Sequence, residues 1–253
     1  MLTFGSLYTG IGGIDLGLER VGMHCEWQVE INDYCTAILE RQWPDVPRVR
    51  DVRDAGRHNL APVDVVAGGF MCTDISNAGA RAGLDGERSG GTWREMVRVV
   101  RDLRPRYVLV ENVAALLGRG MGVVLGDLAQ IGYDAEWSVL SACAVGASHT
   151  RERLFIVAYA HGERFDGRRG GGPGAEGAPQ GTTRVRASHL PEANAADPTA
   201  DGRAGEPGVG RMAHGVPAWS HRLAALGNAV VPACAEVAGR RILAIHRSLT
   251  EVL

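Results

Sequence analysis

One cysteine stands where a thiol could do chemistry. Cys72 follows a run of apolar residues and lies in the polar, glycine-spaced stretch "VVAGGFMCTDISNAGARAG". A buried and inert side chain is the ordinary interpretation of a cysteine, but the polar flanks favour a nucleophile just past the end of a strand. The other cysteines, Cys25, Cys35, Cys143 and Cys234, form no C-x-x-C pair. Neither a disulfide framework nor a zinc ribbon is therefore expected.

A carboxyl group and two arginines are candidates for the same site. Glu111 and Asn112 close the apolar stretch "RYVLVENV", and Arg151 and Arg153 alternate in "HTRERLF". Alternate residues of an extended segment point to the same side. A salt-bridged surface strand remains the alternative for the arginines. A thiol, a carboxyl and paired arginines around one cleft would suit nucleophilic catalysis on a heterocycle.

A second set of groups points to a bound nucleoside. The segment "YTGIGG" follows a strand and opens a helix, where glycines let a ligand approach the backbone amides. The next strand ends at Glu30, whose carboxylate could accept hydrogen bonds from ribose hydroxyls. The strand after that ends near "RDVRD", with Asp51 at its tip. A tight turn and surface carboxylates are the alternatives for each feature alone, but the three together favour a nucleoside site.

Strands alternate with helices over about the first 160 residues, which predicts an open, mostly parallel α/β sheet. Ligands of such sheets bind outside the carboxyl ends of the strands, where the candidate residues lie. The predicted strands are residues 2–8, 24–32, 63–70, 106–113, 133–142 and 152–160, together with the strand that ends near Asp51. The predicted helices are residues 14–22, 33–44, 90–105 and 122–132.

The alternation stops at residue 161. Residues 161–214 are rich in Gly, Ala, Pro, Arg and Asp and contain few large apolar side chains. Such a segment buries too little surface to offset its ordering entropy, so a largely disordered insert is expected. Order is expected to return from residue 216 and to end in an apolar-periodic helix of about 16 residues that packs back on the sheet.

Composition limits the possible functions. The chain has 253 residues, with 27 basic and 29 acidic side chains and a formal net charge of -2, so any contact with nucleic acid must come from a local patch. Every basic residue is arginine, which excludes a lysine nucleophile or Schiff base. No apolar run approaches about 18 residues and the N-terminus does not resemble a signal peptide. A soluble protein in a reducing, intracellular setting is expected.

Seven stretches, taken in order, resemble the motifs of C5-cytosine DNA methyltransferases that use S-adenosylmethionine. They are "SLYTGIGGIDLGLE", "VEIND", "RDVRD", "GGFMCTDISNAGARAGLDGERSG", "VLVENVAALL", "HTRERLFIVA" and "LGNAVVP". The resemblance implies a Rossmann-like, doubly wound, mostly parallel sheet with a short, poorly ordered recognition insert. It also implies three parts: residues 1–160 for catalysis and cofactor binding, residues 161–214 as a reduced target-recognition segment, and residues 215–253 completing the catalytic domain.

The resemblance also assigns the chemistry of the thiol. Cys72 would add to C6 of a cytosine, so that C5 becomes nucleophilic and takes the methyl group. Glu111 would hold N3 and the exocyclic amine and stabilise the charge that develops on the ring. Arg153, with Arg151, would hold O2 and the catalytic loop. The base must leave the duplex stack to reach such a pocket.

The same resemblance implies a set of cofactor contacts. Tyr8 would stack on the adenine, and Gly10 and Gly12 would lie near the methionine portion. Glu30 would bind the ribose hydroxyls and Asp51 the adenine amine. The C-terminal segment would close the pocket with two residues, Asn228 and Val230.

Two features depart from the family pattern. The usual Pro-Cys-Gln is Met71-Cys72-Thr73 here; losing the proline loosens the start of the loop, which predicts reduced or altered chemistry rather than none. The reduced recognition segment predicts a short or relaxed target, of about four base pairs or fewer, because each recognised base needs its own contact. Five of its arginines could still neutralise phosphates: Arg164, Arg168, Arg169, Arg184 and Arg186.

The expected function is methyl transfer from S-adenosylmethionine to C5 of cytosine in double-stranded DNA through a covalent Cys72–C6 intermediate. The alternatives are a non-catalytic or weakened relative that binds DNA or cofactor, a cytosine-5 enzyme with a bulkier donor group, and an RNA methyltransferase. A monomer without metal or membrane association is expected. The expected location is the cytoplasm of a bacterial or phage-infected cell, with restriction-modification as one possible setting.

Overall fold

The computed structural model describes residues 1–72, 84, 87–160 and 219–250. Within these ranges seven strands form one sheet: β1 Thr3–Leu7, β2 His24–Val29, β3 Arg48–Val49, β4 Val65–Gly69, β5 Tyr107–Val113, β6 Tyr133–Ser141 and β7 Glu152–Ala160. The helices are α1 Gly13–Arg20, α2 Asp33–Gln42, α3 Glu87–Leu103, α4 Leu116–Arg119, α5 Met121–Gln130, α6 Trp219–Asn228 and α7 Pro232–Thr250. The predicted insert, residues 161–214, lies outside the described residues.

The strand order is β3-β2-β1-β4-β5-β7-β6, and the first five of these strands are parallel. The prediction of a mostly parallel, Rossmann-like sheet is confirmed. Strand β7 runs antiparallel to both β5 and β6, a reversal that was not predicted from the sequence. Only residues 142–151 join β6 to β7, fewer than the dozen or more that a parallel crossover needs.

Most predicted elements differ from the observed ones by a few residues at their ends. The third strand, predicted to end near Asp51, has only two residues, Arg48 and Val49. Asp51 follows it and caps a 3-10 turn, where its carboxylate accepts a hydrogen bond from the Arg53 amide at 2.9 Å. Helix α3 begins three residues before the predicted start, and α7 has 19 residues.

The sheet buries a hydrophobic layer on each face, because successive residues of a strand point to opposite sides. On β5, Val108 and Val110 join the cluster that packs against α3 and α5. Tyr107 and Leu109 join the other cluster, which packs against α1 and α7. A doubly wound sheet of this kind leaves its carboxyl edge open between the two layers.

The C-terminal segment returns to the first helix, to which it packs closely. A Cβ at Gly13 would lie 2.3 Å from the carbonyl oxygen of Val230, and one at Gly17 would lie 2.5 Å from Cβ of Ala235. Helix α7 is also tied to β6, since Arg241 pairs with the buried Glu136 through two contacts, one of 2.7 Å to Oε2. None of the helices in the described ranges is long and apolar enough to cross a membrane.

A buried carboxyl group lies beneath the turn between β1 and α1. Asp15 has no exposed surface, and its Oδ1 accepts hydrogen bonds from Ser6 Oγ at 2.8 Å and Gln28 Nε2 at 2.9 Å. Its Oδ2 has no hydrogen-bond partner. Burial raises the pKa of Asp15 from 3.8 to about 6, although both hydrogen bonds oppose the shift.

Asp15 should therefore make the folded protein less stable as the pH rises. The folded state holds the Asp15 proton more tightly than the unfolded chain, so its contribution is complete below about pH 4 and is lost as the pH passes 6. The two-unit difference corresponds to about 3 kcal/mol. Denaturant unfolding of the wild-type protein and Asp15→Asn between pH 4 and 7 measures this contribution to the free energy of unfolding. As the pH rises, the unfolding free energy of Asp15→Asn should increase relative to that of the wild-type protein. If the two unfolding free energies depend on pH in the same way, the prediction is wrong.

Candidate active site

A cleft of about 1100 Å³ opens at the carboxyl edge of the sheet, where β1, β2, β4 and β5 end. Nine of the eleven predicted site residues line it: Tyr8, Gly10, Glu30, Asp51, Cys72, Glu111, Arg153, Asn228 and Val230. Gly12 and Arg151 instead line a neighbouring depression of about 910 Å³, which Val230 borders as well. The parallel strands thus bring together most of the groups that their positions in the sequence suggested.

Tyr8 follows β1 in an unusual backbone conformation. Its φ of 56° lies in the left-handed region, which costs a residue other than glycine about 1 kcal/mol or more. The phenol hydroxyl donates a hydrogen bond to the carbonyl oxygen of Thr92 on α3, at 2.6 Å. Burial, followed by the charge of Glu95, raises the Tyr8 pKa, so the phenol stays neutral. The strained turn and this hydrogen bond fix the ring at the wall of the cleft.

Glu30 joins the glycine turn to the start of α2. Its Oε2 accepts a hydrogen bond from the Gly10 amide at 2.7 Å, and its Oε1 accepts one from the Asn32 amide at 2.7 Å. A carboxylate has about four acceptor positions, so the two amides leave capacity for further donors. Beside it, Ile31 is 63% exposed and also lines the cleft. No pattern in the sequence pointed to Ile31.

Asp51 is held by its neighbour. Arg53 Nε lies 3.0 Å from each carboxylate oxygen, and these bonds lower the Asp51 pKa to about 2. Asp51 is therefore an acceptor at any ordinary pH. The Arg53 side chain is mostly exposed, and exposed ion pairs are worth about 0–1 kcal/mol. A ligand amine could displace the guanidinium at little cost.

Glu111 is buried on β5 and is paired with an arginine of the antiparallel neighbour β7. Glu111 lies opposite Phe155, so Arg153 is its diagonal neighbour on the same face. Arg153 Nε lies 2.9 Å from Glu111 Oε1, as an ion pair without the alignment of a good hydrogen bond. Burial raises the pKa of Glu111 to about 7, while Arg153 and then Arg151 oppose the shift. The carboxyl group can thus hold or release a proton near neutrality.

Gly69, the last residue of β4, leaves the space that the Glu111 carboxylate fills. The two residues are register partners on adjacent parallel strands. A Cβ at Gly69 would lie 2.6 Å from Glu111 Oε2, well inside van der Waals contact. Any larger residue would displace the carboxyl group.

Cys72 is half-buried in the same cleft, three residues beyond β4. Burial raises its pKa, as does the charge of Glu111, while Arg153 and Arg151 act in the opposite direction. The thiol and the carboxyl group therefore influence each other: the thiolate is easier to form when Glu111 is protonated.

The two predicted arginines have different contacts. Arg153 faces Glu111, whereas Arg151 Nη2 donates a hydrogen bond at 2.5 Å to the carbonyl oxygen of Gly227 near the end of α6. Arg151 thus ties β7 to the C-terminal segment, and its charge still reaches Glu111 and Cys72. The prediction that both arginines occupy one side of a strand did not anticipate this division.

Two further residues hold the chain just before Cys72. Asn112 Nδ2 donates a hydrogen bond at 3.0 Å to the Phe70 carbonyl oxygen, and Thr92 Oγ1 accepts one at 3.2 Å from the Met71 amide. The sequence placed Asn112 at a strand end. It gave no signal for Thr92, which lies inside α3.

The described part of the cleft carries several kinds of ionisable group. No group of three or more His, Cys, Asp or Glu side chains in the described ranges could hold a metal ion. The cleft instead combines a thiol, a titratable carboxyl group with its arginine, and two carboxylates at neighbouring strand ends.

Comparison with known proteins defines the class. Residues 2–200 match the C-5 cytosine-specific DNA methylase family, to which this chain belongs. The chain is similar to the type II methyltransferase M.Bsp6I of Bacillus sp., with 32% identity over 171 residues, 65% of this chain and 54% of that protein. It is also similar to the type II methyltransferase M.AquIA of Picosynechococcus sp., with 30% identity over 181 residues, 63% of this chain and 73% of that protein.

Solved structures agree on the fold. S. pombe Dnmt2 methyltransferase superposes with a TM-score of 0.53 at 19% identity, over 64% of this chain and 52% of that one. The chain spans about half the length of the first curated relatives that it matches.

The Glu111 carboxyl group should titrate near neutrality, which 13C-detected NMR of the side-chain carboxyl can measure. The midpoint is expected near pH 7. Arg153→Gln should raise it, because the carboxylate then loses its nearest cation. Arg106→Gln is the matched control: Arg106 pairs with Asp64 at the opposite edge of the sheet and should leave the midpoint unchanged. A midpoint near pH 4 in the wild-type protein would contradict the buried placement of Glu111.

Proposed function

We propose that this protein transfers a methyl group from S-adenosylmethionine to C5 of cytosine in DNA through a covalent Cys72–C6 intermediate. The strongest support is where the candidate catalytic side chains lie. Cys72, Glu111 and Arg153 meet in the cleft whose other wall carries Glu30 and Asp51. A relative that only bound DNA or cofactor would not need the thiol, the carboxyl group and its arginine together.

The side chains suit each step of that reaction. The Cys72 thiol would give up its proton to solvent and add to C6 as the thiolate, moving a pair of ring electrons toward C5, while the proton on Glu111 would be given to N3 or shared with it. Arg153 would neutralise negative charge at O2. S-adenosylmethionine, when bound, supplies an electrophilic methyl carbon for the bond to C5, and its sulfur leaves as a thioether with the electron pair of the broken S–C bond. Loss of the C5 proton to a base then expels the Cys72 sulfur as the thiolate, and N3 returns its proton to Glu111 as the aromatic ring is restored.

The raised pKa of Glu111 fits this sequence, whereas the raised pKa of Cys72 opposes formation of the thiolate in the free protein. Before the base arrives, the thiol and the carboxyl group both favour their protonated forms. Adding a thiolate to C6 becomes easier as the ring nitrogen is protonated, and a carboxyl group with a pKa near 7 is an effective donor at neutral pH. Arg153 would then face a carboxylate that has given up its proton.

The cofactor would lie along the first two strand ends. Glu30 would accept hydrogen bonds from the ribose hydroxyls, Asp51 would accept one from the adenine amine, and the fixed ring of Tyr8 would stack on the base. A Cβ at Gly10 would meet no heavy atom within 4 Å, so the turn leaves open space for the methionine portion. Gly12 faces away from this cleft, so its proposed role is to shape the turn. At the far wall, two residues would complete the pocket: Asn228 and Val230.

Double-stranded DNA is the proposed substrate, bound by a monomer in the cytoplasm of a bacterial or phage-infected cell. We propose a short or relaxed target sequence, because residues 161–214 offer arginines for phosphates but few apolar residues to build a rigid surface that recognises bases. The type II methyltransferase relatives make restriction-modification the proposed setting.

Bisulfite sequencing of DNA from cells that express the protein tests the reaction and its context together. We expect protected cytosines within a context of about four base pairs or fewer, since each recognised base needs its own contact. Cys72→Ser should abolish protection, whereas Cys143→Ser, the matched control at the exposed cysteine, should retain it. Protection that survives in Cys72→Ser would exclude the covalent mechanism, and strict protection of sites of six or more base pairs would exclude relaxed specificity.

Calorimetry tests the cofactor assignment. Glu30→Ala and Asp51→Ala should each raise the dissociation constant of S-adenosylmethionine about tenfold or more, because each removes hydrogen bonds to a charged group worth about 1.5–3 kcal/mol. Two nearby carboxylates that do not line the cleft serve as controls, Glu26→Ala and Asp54→Ala, and should bind normally. Unchanged affinity in both test variants would rule the assignment out.

A further inference from the structure

The chain that leads to Cys72 is anchored at the residue two positions earlier. The Phe70 carbonyl oxygen accepts a hydrogen bond from the buried Asn112 side chain at 3.0 Å. The Phe70 ring packs against Trp93 of α3, with ring centroids 5.1 Å apart. Trp93 is itself fixed, since its Nε1 donates a hydrogen bond to Asp127 Oδ2 at 2.7 Å. The position of Phe70 is thus defined from two sides.

The next peptide is held by a threonine hydroxyl. The Met71 amide donates a hydrogen bond to Thr92 Oγ1 at 3.2 Å. The same hydroxyl donates its proton to the Ser89 carbonyl oxygen, at 3.0 Å, one turn back along α3. A hydroxyl has one proton and two lone pairs, so the bond to Ser89 directs a lone pair toward Met71.

The hydrogen bond to Thr92 restrains residue 71, as the ring of a proline at that position would. Proline fixes φ and has no N–H, so it needs no acceptor. Methionine has a free φ and an N–H that requires a partner. Because Met71 stands where the family motif has proline, we propose that Thr92 is a positioning residue for Cys72, whose hydroxyl restrains the Met71 peptide in place of a proline ring. The inference rests on the proposed function of Cys72 as the nucleophile.

Thr92 also connects to the cofactor side of the cleft, but through a different atom. Its carbonyl oxygen accepts the hydrogen bond from the Tyr8 hydroxyl at 2.6 Å. A side-chain substitution leaves that carbonyl in place. The two roles can therefore be separated: changing the hydroxyl should affect Cys72 and leave the wall that faces the cofactor intact.

The test is a double-mutant cycle between positions 71 and 92, with S-adenosylmethionine affinity and melting temperature measured alongside. Thr92→Val should lower kcat about fivefold, the effect of losing one ordinary hydrogen bond, with unchanged affinity for S-adenosylmethionine. Thr92→Ser, which keeps the hydroxyl, should behave like the wild-type protein. In the Met71→Pro protein, Thr92→Val should cause no further loss of kcat, because a proline at position 71 has no N–H that needs the threonine hydroxyl as an acceptor.

A second readout does not depend on turnover. The rate of iodoacetamide alkylation at Cys72 is followed by mass spectrometry of its peptide, so the other cysteines do not interfere. Burial is the main reason that the Cys72 thiolate is disfavoured, so a released Met71 peptide should make the thiol more accessible. Alkylation should be faster in Thr92→Val, with its pH profile moved to lower pH, and should return to the Met71→Pro rate in the double variant.

The outcomes separate this inference from the proposed function. If Thr92→Val matches the wild-type protein in both readouts, or harms the Met71→Pro protein equally, the hydroxyl has no positioning role and the inference is wrong. If Cys72→Ser remains active, the proposed function is wrong, whatever the result of the double-mutant cycle. A loss in Thr92→Val that Thr92→Ser shares would indicate a general packing defect and would also overturn the inference.

Discussion

The carboxyl group of Glu111 is buried, and a buried carboxyl group must either keep its proton or find a cation nearby. The site depends on a balance between these two solutions. Burial raises the pKa of Glu111 to about 7, and the positive charge of Arg153 on the neighbouring strand prevents a larger increase. This balance yields a group that can donate or accept a proton under physiological conditions.

Several features of the fold follow from that requirement. The antiparallel strand β7 lies beside β5, so that Arg153 becomes the diagonal neighbour of Glu111. On the other side, β4 ends in Gly69, because any side chain there would occupy the space of the carboxylate. The sheet is parallel where Glu30 and Asp51 follow strands at one edge, and it is antiparallel where Glu111 meets Arg153.

Two packing contacts bring distant parts of the chain to the cleft. Helix α3 supplies Thr92, whose carbonyl and hydroxyl touch Tyr8 and Met71 respectively. The C-terminal segment reaches the cleft because Gly13 lets the Val230 backbone pack against the start of α1. Arg151 adds a hydrogen bond from β7 to Gly227 in the same segment. Neither arrangement follows from strand order alone.

Features that arise from local sequence patterns could be predicted, whereas features that depend on tertiary contacts could not. The alternation of strands and helices and the positions of Glu30, Cys72 and Glu111 at strand ends are local patterns, and they were sufficient to locate the cleft. The apolar pattern of β7 does not show its direction, because it is the same either way; the ten-residue connection from β6 is the feature that requires an antiparallel strand.

Side-chain pairing was the other part that could not be foreseen. The Arg53 contact on Asp51 and the Thr92 contact on Met71 depend on how loops and helices meet in three dimensions. The assigned roles of the site residues remain predictions, and residues 161–214 lie beyond the described part of the chain.

The most direct test of the central claim is to trap the bond between Cys72 and the base. The protein is incubated with S-adenosylmethionine and DNA duplexes in which 5-fluorocytosine replaces cytosine throughout, so that no target sequence has to be known. Fluorine cannot leave C5 as the proton does, so the ring cannot expel the thiol after methyl transfer. The account predicts a denaturation-resistant adduct, found by mass spectrometry on the Cys72 peptide and missing in Cys72→Ser. An adduct at another residue, or methyl transfer to unmodified DNA with no adduct to the fluorinated duplexes, would contradict it.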